Sequence, residues 1–156
     1  MPVNNELVGR EFPPTQPYLV GREKVREFAR AVFADAPLHT DVDAARALGH
    51  SDVVAPPTFA MVIQDLTLQQ LLSEPDSGIV LARTIHAEQR FAYSRPIVAG
   101  DELTAQLKVT GIRTMAGNAM VTSDAEISDA AGHHVVTATS VLLIGSDDAN
   151  ESETGA

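Results

Sequence analysis

The chain reads as an α+β domain, an antiparallel sheet wrapped around one central buried helix. Three observations predict it. Helical periodicity is confined to the first half, and the second half alternates apolar and polar residues with period two. One helical segment is apolar on most of its sides, as a helix enclosed by other elements must be. The 156 residues suffice for one domain with a single sizeable core.

Residues 1–20 carry Pro13, Pro14 and Pro17, which forbid a helix, so an irregular entry arm packed on the domain is expected. From Gly21 to Phe33, apolar residues at Val25, Phe28, Ala29 and Val32 share one helical face, with Glu23, Glu27, Arg26 and Arg30 on the solvated side. Pro37 breaks the loop 34–40. Thr40 or Asp41 can cap a short helix from Val42 to Leu48, which Gly49 stops. Pro56 and Pro57 then open the central helix, Thr58 to about Leu72, because a proline in a first helical turn lacks an N–H that would have no partner there anyway.

The rest is β. Strands are expected over Arg83 to Tyr93, Leu103 to Thr114, Ala119 to Ser128 and His133 to Ile144. Turns fall at Arg95-Pro96, Gly100-Asp101, Met115 to Asn118 and Asp129 to Gly132. The domain is expected to span residues 1–145, followed by an acidic, polar and disordered tail, 146–156.

Composition removes several function classes. A formal charge of −10 argues against nucleic acid or an anionic membrane as a partner. Arg83, Arg90, Arg95, Lys108 and Arg113 nonetheless fall in one half of the chain, where a local basic path for a phosphorylated ligand could form. With no cysteine, disulfides, thiolate catalysis and zinc–thiolate sites are excluded. The N-terminus lacks a basic region followed by an apolar run, and no run of about 18 apolar residues exists, so no signal peptide or membrane span is expected and a cytoplasmic location is the default.

The aromatic strand end Phe91-Ala-Tyr-Ser followed by Arg95-Pro-Ile-Val-Ala-Gly-Asp101 resembles the MaoC-like hydratase/dehydratase family. Together with the opening run from Gly9 to Ala29 and the run Ala55-Pro-Pro-Thr-Phe59, it resembles the HadA-like actinobacterial group of that family. The resemblance implies a hot-dog fold that pairs into a double hot dog, action on acyl thioesters, and no cofactor. It also implies a partner: a catalytic MaoC-like hydratase subunit, or a second copy of the chain.

The family's active-site loop reads G-D-x-N-P-[LIV]-H. Phe33-Ala-Asp-Ala-Pro-Leu-His39 matches it at Pro37, Leu38 and His39, but places Phe33, Ala34 and Ala36 at the Gly, Asp and Asn positions. His39 is therefore the candidate proton carrier, and Asp35, one residue away from the family's carboxylate, would serve only on a different loop path. The family begins its central helix with A-H-G-M, whose Gly N–H meets the thioester oxygen. Ala55-Pro56-Pro57-Thr58 puts a proline there, and proline has no N–H. The dehydration itself needs a base, an acid and donors for the enolate oxygen. With two of these weakened, the resemblance implies a substrate-binding subunit with Pro57, Thr58, Phe59 and Val62 facing the acyl group. That group would be carried on ACP or CoA. A homodimeric hydratase using His39 and a non-enzymatic acyl-thioester-binding module are the alternatives. His133 and His134 open a strand without carboxylates placed to complete a metal site, so no metal is expected.

Overall fold

Five strands pair antiparallel in the order β1-β3-β4-β5-β2: β1 (Tyr18–Leu19), β2 (Thr84–Tyr93), β3 (Glu102–Met115), β4 (Asn118–Ser128) and β5 (His134–Ile144). The structure is a computed structural model and describes residues 2–146, so the expected tail beyond Ser146 lies outside the described residues. Helices α1 (Arg22–Ala31) and α2 (Val42–Ala47) precede the central α3 (Ala60–Leu72), which packs on β3, β4 and β5.

Four strands were legible, and β1 is the addition. Its two residues pair Tyr18 with Leu103 and Leu19 with Glu102 inside the arm expected to be irregular. Two residues are too few to display a period. The arm does pack on the domain: Leu7, Phe12 and Val20 are buried, and Phe12 N–H donates to the Leu107 carbonyl at 2.8 Å.

The long strands follow their alternation. In β3, Leu103, Ala105, Leu107 and Val109 face α3 while Gln106, Lys108 and Thr110 are exposed or half-exposed. The β3–β4 hairpin turns on Ala116 (φ 51°) and Gly117 (φ 81°), two consecutive left-handed residues as a tight two-residue hairpin requires.

The core divides in two. One apolar cluster gathers Phe59, Ile63, Ile97 and Ile127 near the start of α3, and the other Leu68, Leu71, Leu107 and Ile144 near its end. Between them α3 buries polar residues. Gln64 is fully buried and its amide NH2 donates to the Ala138 carbonyl at 3.1 Å, and Thr67 hydroxyl donates to the Gln64 carbonyl at 2.7 Å. On the facing strands the hydroxyls of Ser123 and Ser140, both buried, lie 3.1 Å apart. The helix that reads as apolar on most sides thus presents Gln64 and Thr67 to the sheet. Met61, Val62, Leu66 and Leu72 are only half-buried.

β2 ends the sheet. It pairs with β5 alone, so its other edge carries no strand among the described residues. Leu81 and Ile85 stand beside that edge 69% and 62% exposed.

Candidate active site

The loop after α1 is fixed by its own backbone. Ala34 N–H returns to the Ala29 carbonyl at 2.8 Å, Pro37–His39 form a single 3-10 turn, and Asp41 caps α2 by accepting from the N–H groups of Asp43 and Ala44. The reversal falls on Phe33, at φ 57° and 85% exposed. A left-handed conformation costs a non-glycine residue about 1–2 kcal/mol. This is the position where the family pattern has glycine, and Phe33 adopts there the left-handed conformation that suits one.

Three segments are then laced together. Val54 N–H donates to the Leu38 carbonyl at 2.9 Å, and His39 Nδ1 lies 2.6 Å from the Val54 carbonyl. On the other side Ala55 N–H donates to the Ile97 carbonyl and Ala99 N–H to the Val53 carbonyl, at 2.8 and 3.0 Å. Arg22 grips Asp52 with two guanidinium nitrogens at 2.8 to 3.0 Å, tying the start of α1 to the same strap and holding the Asp52 carboxyl below its ordinary range.

The turn Arg95–Asp101 owes its shape to one carboxylate. Asp101 accepts from Arg95 at 2.8 and 3.1 Å and from the Val98 N–H at 3.0 Å, while Gly100 supplies the left-handed residue (φ 96°). Arg95 also meets Asp129 at 3.3 Å, and the guanidinium is held above its usual value, first by Asp101. Arg95 is therefore engaged within the domain. Of the other basic residues, Lys108 pairs with Glu11 at 3.5 Å, and Arg90 and Arg113 come together in a depression that Glu88 shares.

Where the laced segments meet the end of β2, they enclose an apolar cavity of about 520 Å3. Leu38 and His39 line it from the loop, Val54, Ala55 and Pro57 from the approach to α3, and Tyr93 to Ile97 from the end of β2 and the turn beyond. His39 is half-buried. A carbonyl can only accept, so Nδ1 carries the proton and the neutral ring leaves Nε2 as its basic nitrogen.

The structure brings His39 and Pro57 together in this cavity and leaves other candidates outside it. Asp35 is exposed and does not line it. Thr58 is exposed. Phe59 is fully buried and packs edge-on against Phe28, with ring centroids 5.3 Å apart, and Val62 packs half-buried against the same core cluster. The residue that sequence reasoning missed is Tyr93. Its hydroxyl donates to the Pro57 carbonyl at 2.5 Å, and burial pushes the phenol up to about 12 against the opposing pull of the Ala60 N–H. The available signal was an inward-facing strand position filled by an aromatic that carries a polar tip.

Known proteins resemble this chain over nearly all its length. A family model described as "FAS1-like, dehydratase domain region" matches residues 6–138. A UPF0336 protein of Clavibacter michiganensis is 61% identical over 149 residues, which span 96% of this chain and 100% of that protein. Among solved structures, the HadBC (3R-hydroxyacyl-ACP dehydratase) complex of Mycobacterium tuberculosis aligns with a TM-score of 0.80 and 31% identity, over 88% of this chain and 96% of that one. A MaoC-like dehydratase aligns with a TM-score of 0.81 and 39% identity over 90% of this chain but only 43% of its own. An antiparallel sheet around a buried helix, a laced loop ending in His39 and a match running from Glu6 to Ala138 converge on one conclusion: the chain belongs to the FAS1-like dehydratase-region family, as a MaoC-like hot-dog domain.

Proposed function

We propose that this chain is the substrate-binding subunit of a (3R)-hydroxyacyl-thioester dehydratase of fatty-acid elongation, working beside a catalytic MaoC-like partner. The observation that carries the reading is the cavity: it is apolar and contains His39, and no carboxylate lines it. Reversible loss of water from a 3-hydroxyacyl thioester takes the proton beside the carbonyl to a base and delivers another to the departing hydroxyl. His39 can exchange one proton through Nε2. Ala34 cannot supply the second group, and Asp35 lies outside the cavity. Two prolines at the approach to α3 withhold the N–H donors that an enolate oxygen needs, a defect that typically costs about 100- to 1,000-fold in rate. The similarity to one chain of a two-subunit dehydratase, and to part of a longer MaoC-like protein, supports the expectation of a second hot-dog unit. The bare edge of β2, flanked by Leu81 and Ile85, is where it would join, since a strand added there completes the ladder.

The second reading, a homodimeric hydratase, is favoured by one observation. The hydrogen bond from Nδ1 orients the His39 ring and sets its tautomer as a general base requires. Hydration of a trans-2-enoyl-CoA, measured with the chain alone and then with a MaoC-like partner of complete D-x-N-P-x-H loop, separates the two. Turnover only in the mixture, unchanged by His39→Ala, is the expected outcome. Turnover by the chain alone, abolished by His39→Ala, would establish the homodimeric enzyme. Binding without turnover in either case would leave an acyl-thioester-binding module.

A further inference from the structure

Residues three apart on a plain strand point to opposite faces. β5 breaks that rule at its start. Opposite it on β4, Ile127 pairs with Val136 and Ser128 with His134, which leaves Val135 as the extra residue of a bulge. Val135 and Val136 are both fully buried, one directly after the other, and His134 is turned to the same side as Thr137. The Val135 carbonyl also receives the Ser94 N–H at 2.8 Å, which brings the residue that follows β2 against His134.

Four side chains then form one line. Ser94 Oγ lies 2.5 Å from His134 Nδ1, His134 Nε2 lies 2.8 Å from Thr137 Oγ1, and the Thr137 hydroxyl donates to Glu126 Oε1 at 2.9 Å. The protons in that line fall in one order. A carboxylate only accepts, so the single Thr137 proton goes to Glu126, and Thr137 must accept from the Nε2–H. Nδ1 of the neutral ring is then bare, and the Ser94 hydroxyl donates to it. A hydroxyl that gives its proton to a histidine, itself oriented by a third group, is the arrangement of an activated nucleophile. Ser94 also lines the apolar cavity, together with Leu38, Val54, Pro57 and Ile97.

We propose that Ser94 is a nucleophile toward acyl groups held in this cavity, with His134 as its base and Thr137 and Glu126 as positioning residues. The activity is separate from dehydration and rests on the acyl-thioester reading above only for the identity of the acyl donor. Ser94 Oγ bonds to the thioester carbonyl carbon as its proton passes to His134 Nδ1. The C–S bond breaks, and the sulfur leaves with that proton as a thiol. Water then adds to the serine ester through the same base, Oγ takes its proton back, and the free acid departs. The balance is thioester plus water giving acid plus thiol. The N–H groups of Ser94 and Arg95 both point at the Val135 carbonyl, at 2.8 and 3.5 Å, so neither is free to meet the carbonyl oxygen as it gains charge. Acylation is therefore expected to run about 100- to 1,000-fold slower than in a site with such a donor.

The test uses the full chain with octanoyl-CoA, read by thiol release and by the mass of protein quenched in acid during the reaction. The chain has no cysteine, so every thiol that appears is that of CoA. S-octyl-CoA, a thioether that cannot acylate, reports binding alone by titration calorimetry. The expected result is thiol release with an octanoyl group mapped to Ser94. Ser94→Ala should abolish both, and His134→Ala should slow both by about 100-fold. Thr137→Val should cost about tenfold, the value of one hydrogen bond, and Thr137→Ser should restore the rate. A packing role for Thr137 predicts the reverse order, because valine keeps its bulk and serine does not. Thioether binding with no octanoyl group on Ser94 and no thiol release overturns the proposal and leaves the acyl-thioester reading standing. Thiol release that persists in Ser94→Ala overturns it equally. If the thioether does not bind and no thiol appears, the acyl-thioester reading itself falls. Should His134→Ala not fold, the mapped residue and Ser94→Ala, which removes one exposed hydroxyl, decide.

Discussion

Phe33 occupies a backbone conformation that suits glycine, and its ring lies 85% in solvent. Little packing would be lost by removing that ring, while the strain would be relieved. Phe33→Gly is therefore expected to raise unfolding stability by about 1 kcal/mol, read as a higher urea midpoint at unchanged slope. A loss of stability would mean that the exposed ring contributes more than its contacts indicate. His39 and Tyr93 show a second way in which a single side chain acquires a role: each is defined by the backbone carbonyl it reaches. Val54 O fixes the proton on Nδ1 of one, and Pro57 O takes the hydroxyl of the other. Both carbonyls belong to the short approach to α3, so the chemistry of the cavity is set largely by main-chain atoms that residue identity does not display.

At the scale of elements, the turn between β2 and β3 is held by Asp101, whose side chain is 14% exposed and satisfies Arg95 and the Val98 N–H together. Asp101→Ala would orphan the Val98 N–H and leave Arg95 with Asp129 as its remaining carboxylate, and should cost about 1–3 kcal/mol in chemical denaturation. Lys108→Ala, which removes an ion pair more than half exposed on both sides, should change stability by less than about 0.5 kcal/mol. Equal effects would contradict the role given to Asp101. The turn was legible as Gly-Asp chemistry. The further duty of its carboxylate was not, because it depends on Arg95 arriving from six residues away in a particular rotamer. The same division runs through the fold. Long periodic segments announced α1, α3 and four strands to within a few residues, whereas β1 escaped notice at two residues long. Gln64 and Thr67 interrupt the apolar run of α3 yet are fully buried: the Gln64 amide NH2 reaches the Ala138 carbonyl while its Oε1 has no partner among the described residues, and the Thr67 hydroxyl turns back on the Gln64 carbonyl. In the candidate site, His39 and Pro57 were legible through motif spacing. Tyr93 was not, because its partner lies 36 residues away across the domain.

For the whole molecule, the asymmetry of the sheet is the controlling fact. One edge is closed by the short β1 and the arm before it, and the other, the ten-residue β2, carries no strand among the described residues. An unpaired strand flanked by exposed apolar side chains favours association. Ile85→Lys is expected to shift the chain toward monomer in sedimentation equilibrium, and to weaken capture of a MaoC-like partner, with thermal unfolding of the monomer unchanged. Unaltered association would place the contact elsewhere. The belt of Gln64, Thr67, Ser123 and Ser140 has a mechanical consequence for any such assembly. A helix seated only in hydrocarbon could rotate or slide a little at small cost, like a rod in oil. Gln64 turns that rod into a keyed shaft, because a rotation by one residue would strand its amide among carbon atoms and uncover the Ala138 carbonyl. Compliance must then reside in the sleeve. A ligand or a neighbouring subunit that presses on the cavity therefore meets α3 as a fixed axle, and any displacement is taken up around it.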